Sequence, residues 1–140
     1  LAVPILAMEK LLAVLAGMDL GQAILTDVGS AKGNVVRAAQ QAFGEMPARF
    51  VPGHPIAGSE QSGVEASNAQ LFRRHKVILT PLEQTDPAAL AVVDRLWREL
   101  GADVEHMHGA MRAALLARAD DPSALVREHV AWALLEEKRP

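Results

Sequence analysis

Short apolar runs alternate with longer helix-forming stretches along the first three quarters of the chain, and glycine or proline stands near most junctions. Five runs carry strand character: residues 1–4, 23–28, 49–51, 76–80 and 103–107. Strands separated by helices at this spacing imply βαβ units, and hence a parallel sheet covered on both faces. Few other arrangements bury such a pattern.

The helices follow from periodicity and punctuation. Residues 5–16 place Leu6, Leu11, Leu12 and Leu15 at spacings that suit a mostly buried helix, closed by Gly17 and Gly21. Residues 31–43 form a second, stopped by Gly44. A polar loop over 53–63 and some helical turns over 64–72 lead to the fourth strand. Pro87, after Thr85 and Asp86, opens a third helix with Leu90, Val93, Leu96, Trp97 and Leu100 expected on its buried face. From Gly109 the strand signal stops, and two helices, to Ala119 and from Ser123, make an expected hairpin over 109–140. Ser123 suits its N-cap.

Charge and composition narrow the chemistry. A chain of 140 residues, half hydrophobic and 22% charged, with a formal charge of −3, has the make-up of a globular domain without a nucleic-acid footprint. No cysteine is present, which removes disulfides, thiolate metal sites and thiol nucleophiles and fits a reducing cytoplasm. Pro4, Glu9 and Lys10 break the apolar opening before it reaches the roughly 18 residues of a membrane span. Because Leu1 already reads as interior strand, the natural start is expected to lie upstream.

Ligands of open parallel sheets bind beyond the strand carboxyl ends. Two loops take that position. In Asp27-Val28-Gly29-Ser30-Ala31-Lys32-Gly33 the glycines allow a tight turn and Ser30 offers a hydroxyl at a helix start, either as a cap or toward a ligand. The spacing is not that of a Walker A loop. In Pro52-Gly53-His54-Pro55-Ile56-Ala57-Gly58-Ser59-Glu60-Gln61-Ser62-Gly63, glycines permit close backbone approach, prolines stiffen it, and His54 can exchange a proton near neutrality. His54 equally suits a plain surface loop bonded to backbone. Ser30, His54 and Asp27 are the residue types of a hydrolase triad, but no G-x-S-x-G elbow accompanies them. His106 and His108 share a strand face without a third ligand, which disfavours a metal. His75 reads as a solvated strand entrance and His129 as the polar face of the last helix.

Together the two loops resemble the prephenate dehydrogenases of tyrosine biosynthesis, which carry D-x-G-S-x-K followed by H-P-x-A-G-x-E-x-S-G. The resemblance runs over about residues 1–106. It implies a Rossmann-like nucleotide-binding domain and an NAD- or NADP-linked oxidative decarboxylation of prephenate or arogenate. In that reaction the ring hydroxyl is oxidised, hydride passes to the nicotinamide and carbon dioxide leaves. The resemblance makes His54 the base for the hydroxyl proton and sets Ser30 at the same hydroxyl near the nicotinamide. It places Pro4 beside the cofactor, and Ser59 and Glu60 on the substrate side, Glu60 facing an arginine from another part of the enzyme.

Two family features have no counterpart in these residues: the G-x-G-x-x-G loop for the pyrophosphate, and the large helical domain whose arginines grip the substrate. The expected architecture is therefore an incomplete Rossmann-like parallel sheet over 1–108 with a helical hairpin over 109–140. Leu125-Val126-Arg127-Glu128-His129-Val130-Ala131-Trp132-Ala133-Leu134 resembles the HEAT-like repeat of epoxyqueuosine reductases, which suggests a separate origin for the tail. The expectation is a partial or recombined dehydrogenase chain with little activity alone, and a homo-oligomer. The competing reading is a non-catalytic recombined or engineered module that self-associates through an unpaired edge.

Overall fold

The computed structural model describes residues 1–58 and 63–107. Every described element belongs to one compact unit, Leu1–His106. The expected helical hairpin lies outside the described residues.

Helix α1 (Ile5–Ala16) starts after Pro4, whose extended backbone and lack of an N–H suit a helix entrance, and stops at Gly17. Strand β1 (Leu25–Thr26) leads into α2 (Lys32–Phe43). Gly44 ends α2 at φ +73°, a conformation costly for other residues, and its N–H donates to the Gln40 carbonyl at 2.9 Å. Strand β2 (Phe50–Val51) runs through Pro52 into β3 (Gly53–Pro55), and a short 3-10 turn, Val64–Ala66, precedes β4 (Lys76–Leu79). Asp86 caps α3 (Pro87–Glu99) by accepting the Ala88 N–H at 2.8 Å, and β5 (Asp103–His106) closes the unit.

β1 and β2 pair in parallel, Leu25 opposite Phe50, and β4 and β5 pair in parallel, Val77 opposite Val104. The expectation of a single, wholly parallel sheet is corrected: β1–β2 and β3–β4–β5 form two sheets, and β3 runs antiparallel to β4 with His54 opposite Ile78. The same chain segment leaves β1 and turns onto β4, and the Thr80 N–H closes the junction by donating to the Pro52 carbonyl at 2.9 Å. Residues 53–55 were expected as loop because Gly-His-Pro carries no strand propensity; the open edge of β4 imposes the pairing.

The expected first strand does not form as a strand over residues 1–4, although Leu1 lies beside β1. The Leu1 N-terminus donates to the Thr26 carbonyl and the Val28 N–H donates to the Leu1 carbonyl at 3.2 Å, the bonding pattern of a parallel bridge beside β1. This sets the opening segment beside β1, so Pro4 and Ser30 follow neighbouring stretches of chain.

Phe50 and Val51 point to opposite faces. Phe50 joins Met8, Leu12, Leu25, Val35, Ala38, Ala39 and Met46 under α1 and α2; Val51 joins Val77, Leu79, Ala89, Val93, Trp97 and Val104 under α3. Phe72 meets the Trp97 ring edge-on, centroids 4.9 Å apart. Three expected core leucines are instead exposed: Leu6 (90%), Leu96 (46%) and Leu100 (47%). Alanines take the close contacts instead, because Ala38, Ala39 and Ala89 let the helices approach the sheet. Among the described residues no helix is long and apolar enough to cross a membrane.

Candidate active site

The turn after β1 is organised by Asp27. Its side chain is fully buried, a costly position for a carboxylate unless its oxygens are satisfied. Oδ2 accepts the Gly29 N–H at 2.9 Å, which closes the turn on itself. Oδ1 accepts the Gly53 N–H at 3.2 Å, which reaches across to the start of β3.

Lys32, in the first turn of α2, completes the arrangement. Its Nζ donates to Asp27 Oδ2 and to the Gly53 carbonyl at 2.6 Å, and its side chain is only 11% exposed. Burial pushes the Lys32 ammonium below its ordinary pKa, opposed by the hydrogen bond and charge of Asp27. Gly53 thus gives its N–H to Asp27 and its carbonyl to Lys32, and both motif loops share one polar junction. The contact is close: a side chain on Gly53 would place Cβ 3.0 Å from the Asp27 carbonyl oxygen and 3.3 Å from Leu79 Cδ2.

His54 follows directly. It is half-buried on β3, and its pKa lies below the ordinary histidine value, first because burial disfavours the imidazolium and then because Lys32 repels it, with Asp27 pulling the other way. Ser30 stands two residues before Lys32, exposed on the turn. Its side chain does not cap α2, whose entrance residue is Ala31; only the Ser30 carbonyl is engaged, accepting the Lys32 N–H at 3.1 Å. Neither the Ser30 hydroxyl nor the His54 ring bonds to another described residue. Pro4 is exposed at the entrance of α1. The structure therefore brings the Ser30 turn and the His54 strand together, while Ser59 and Glu60 lie outside the described residues.

From the sequence Asp27 drew notice only as a triad residue type, and neither it nor Lys32 was assigned to the site. Their signal was present as the outer letters of D-x-G-S-x-K, but their link to Gly53 spans more than twenty positions and no local pattern reports it. The other described histidines, His75 and His106, have partners of their own. His106 Nε2 lies 2.6 Å from Asp94 Oδ2, and Asp94 also receives Arg98 Nε at 2.6 Å; these partners hold the Asp94 carboxyl below its ordinary pKa. Exposed His75 has Nδ1 3.2 Å from the Arg73 carbonyl. Among the described residues no cluster of three potential ligands could hold a metal; His108 and His129 lie outside them.

The model of the prephenate dehydrogenase nucleotide-binding domain matches residues 1–106. A cyclohexadienyl dehydrogenase from Zymomonas mobilis is 36% identical over 118 residues, which are 84% of this chain and 39% of that protein. A prephenate dehydrogenase from Lactococcus lactis is 42% identical over 85 residues, 60% of this chain and 24% of that protein. The crystal structure of Aquifex aeolicus prephenate dehydrogenase, in complex with hydroxyphenyl propionate and NAD+, superposes with a TM-score of 0.70 at 34% identity over 97% of this chain and 45% of that one. The chain thus spans less than half the length of these dehydrogenases. The second expected resemblance also finds a counterpart: 28 residues, 20% of the chain, are 75% identical to an epoxyqueuosine reductase from Alicycliphilus denitrificans, of which they make up 8%. With residues 1–106, most of the chain, matched by that nucleotide-binding domain, the chain belongs to the prephenate dehydrogenase family.

Proposed function

We propose that this chain supplies the hydroxyl-facing wall of an NAD- or NADP-linked dehydrogenase acting on prephenate or arogenate, and that these 140 residues alone turn over little substrate. The observation that carries the reading is the Lys32 bridge from Asp27 to Gly53, which joins the two family motifs between the β1–β2 sheet and the β3–β4–β5 sheet. Solved relatives support the ligand class, since the Aquifex aeolicus enzyme was crystallised with NAD+ and hydroxyphenyl propionate.

The residues present suit one end of the dinucleotide. Pro4 and Ser30 are exposed on neighbouring stretches of chain, linked through the Val28 to Leu1 bond, and would hold the nicotinamide; no glycine loop for the pyrophosphate occurs among these residues. When bound, the nicotinamide supplies the hydride acceptor. His54 accepts the proton of the substrate hydroxyl. Its lowered pKa keeps the ring neutral, and so a competent base, at pH 7. The free Ser30 hydroxyl orients the same group. Ser59 and Glu60 receive the substrate, Glu60 facing an arginine from another part of the enzyme. The cytoplasm is the compartment that suits this chemistry.

Calorimetric titration with NAD, NADP and prephenate, beside an assay for reduced nicotinamide, tests the reading. Weak binding near the roughly millimolar range with at most trace turnover is expected. Robust turnover would overturn the predicted inactivity. Complete absence of binding would favour a non-catalytic module instead. One observation favours that second reading: α1 exposes Leu6 (90%) and Val14 (62%), apolar surface suited to self-association. Sedimentation at increasing concentration tests it, and a chain monomeric throughout would count against it.

A further inference from the structure

We propose that Lys32 is a positioning residue for His54: by holding the Asp27 carboxylate and the Gly53 carbonyl at once, it fixes where the imidazole stands relative to the Ser30 turn. The inference rests on the reading of His54 as a base but concerns a different group, one that need not touch substrate.

The geometry carries it. Gly53 precedes His54, and its two backbone polar groups both end on the Asp27–Lys32 pair, N–H to Oδ1 at 3.2 Å and carbonyl to Nζ at 2.6 Å. On its other side β3 is held by β4, where His54 faces uncharged Ile78. The peptide that carries the imidazole is thus clamped from both edges. Its clamp on the β1 side comes from side chains, not from a ladder. Ser30 is placed by the same pair, since Asp27 closes the Gly29 turn and Lys32 begins the helix that follows.

A buried ion pair used only for stability is a poor choice, because desolvating both groups consumes most of their attraction. Here the cation has a second partner that an apolar replacement would abandon. Among the described residues it is also the positive group acting on His54, opposing protonation, with Asp27 acting the other way. Lys32 therefore couples position to basicity: the contact that places the ring also favours its proton-accepting form.

The test needs neither cofactor nor substrate. The His54 ring is titrated by NMR, and amide hydrogen exchange is followed, in the whole chain and in variants. In Lys32→Met the His54 pKa is expected to rise, and exchange at Gly53 and Gly29 to quicken roughly tenfold or more while α3 and β5 amides keep their protection. Lys32→Arg, which keeps the charge and its donors, is expected to restore both readouts toward the parent. If Lys32→Met does not fold, Asp27→Asn/Lys32→Met leaves no unpaired buried ion. It should untie Gly53 in the same way, with a smaller rise in the His54 pKa because Asp27 is lost as well. An unchanged titration, exchange quickened evenly across the unit, or failure of both variants to fold would overturn the proposal. None of these outcomes bears on the dehydrogenase reading, which is judged by ligand binding.

Discussion

The Gly53 N–H donates to Asp27 Oδ1 at 3.2 Å, across two loops that lie far apart in sequence. The bond is one of three that hold a fully buried carboxylate, with Gly29 and Lys32 supplying the others. It makes Asp27 the residue on which the geometry of both motifs depends.

Asp27→Ala should accordingly cost far more than a surface change. It strands the Lys32 ammonium in a largely buried place and leaves two N–H groups without their acceptor, so a loss of about 3–5 kcal/mol is expected. Asp27→Asn keeps an acceptor oxygen and should lose less. Urea denaturation of the three chains measures both values, and a loss below about 1 kcal/mol for the alanine variant would contradict the account.

Gly53→Ala asks a different question, because it removes no hydrogen-bonding group. The new methyl would meet the Asp27 carbonyl oxygen at 3.0 Å, and that oxygen belongs to backbone that cannot swing aside. Overpacking of about 1–3 kcal/mol is expected. The cost should shrink if Leu79, whose Cδ2 is 3.3 Å from the same point, is shortened to valine. Thermal melts of the single and double variants would show whether that coupling exists.

Acid should weaken the fold partly through His54. Its folded pKa lies below the ordinary value of 6.5, so the unfolded chain binds the proton more readily. The stability it contributes is therefore complete above pH 6.5 and lost as the pH falls through that value and the lower folded pKa. His54→Asn should flatten the stability profile over this window. Denaturation midpoints that fall equally steeply in the variant would assign the acid sensitivity elsewhere.

At the far end of the unit, Asp86 caps α3 through Ala88 and also lies 3.7 Å from Arg49. Asp86→Ala should cost about 1 kcal/mol, mostly through the cap, since a half-exposed ion pair adds little. Asp86→Ser, which keeps a capping oxygen and drops the charge, should recover most of the loss in the same denaturation experiment.

The helices were legible because their ends carry local chemistry. Pro4, Gly17, Gly44 and the Asp86-Pro87 pair bound α1, α2 and α3 within a residue of their expected limits. What each helix buries was less legible, since Leu6 and Leu96 obey helical spacing yet face outward while small alanines fill the interface. Strand β3 was invisible for another reason: Gly53, His54 and Pro55 have no strand propensity of their own and pair because β4 offers an edge. The candidate site divides the same way. Ser30 and His54 announced themselves as polar groups in segments rich in glycine, whereas the Asp27–Lys32–Gly53 junction exists only once the chain has folded.

The segment from Phe50 to Pro55 trades one neighbour for another, bonded first to β1 and then to β4. It therefore works as a splice between two hydrophobic interiors, Phe50 sealed into one and Val51 into the other. A splice has no slack. Opening under α1 and α2 should loosen the covering of α3 as well, and the imidazole of His54, seated three residues beyond Val51, should report on either interior coming apart.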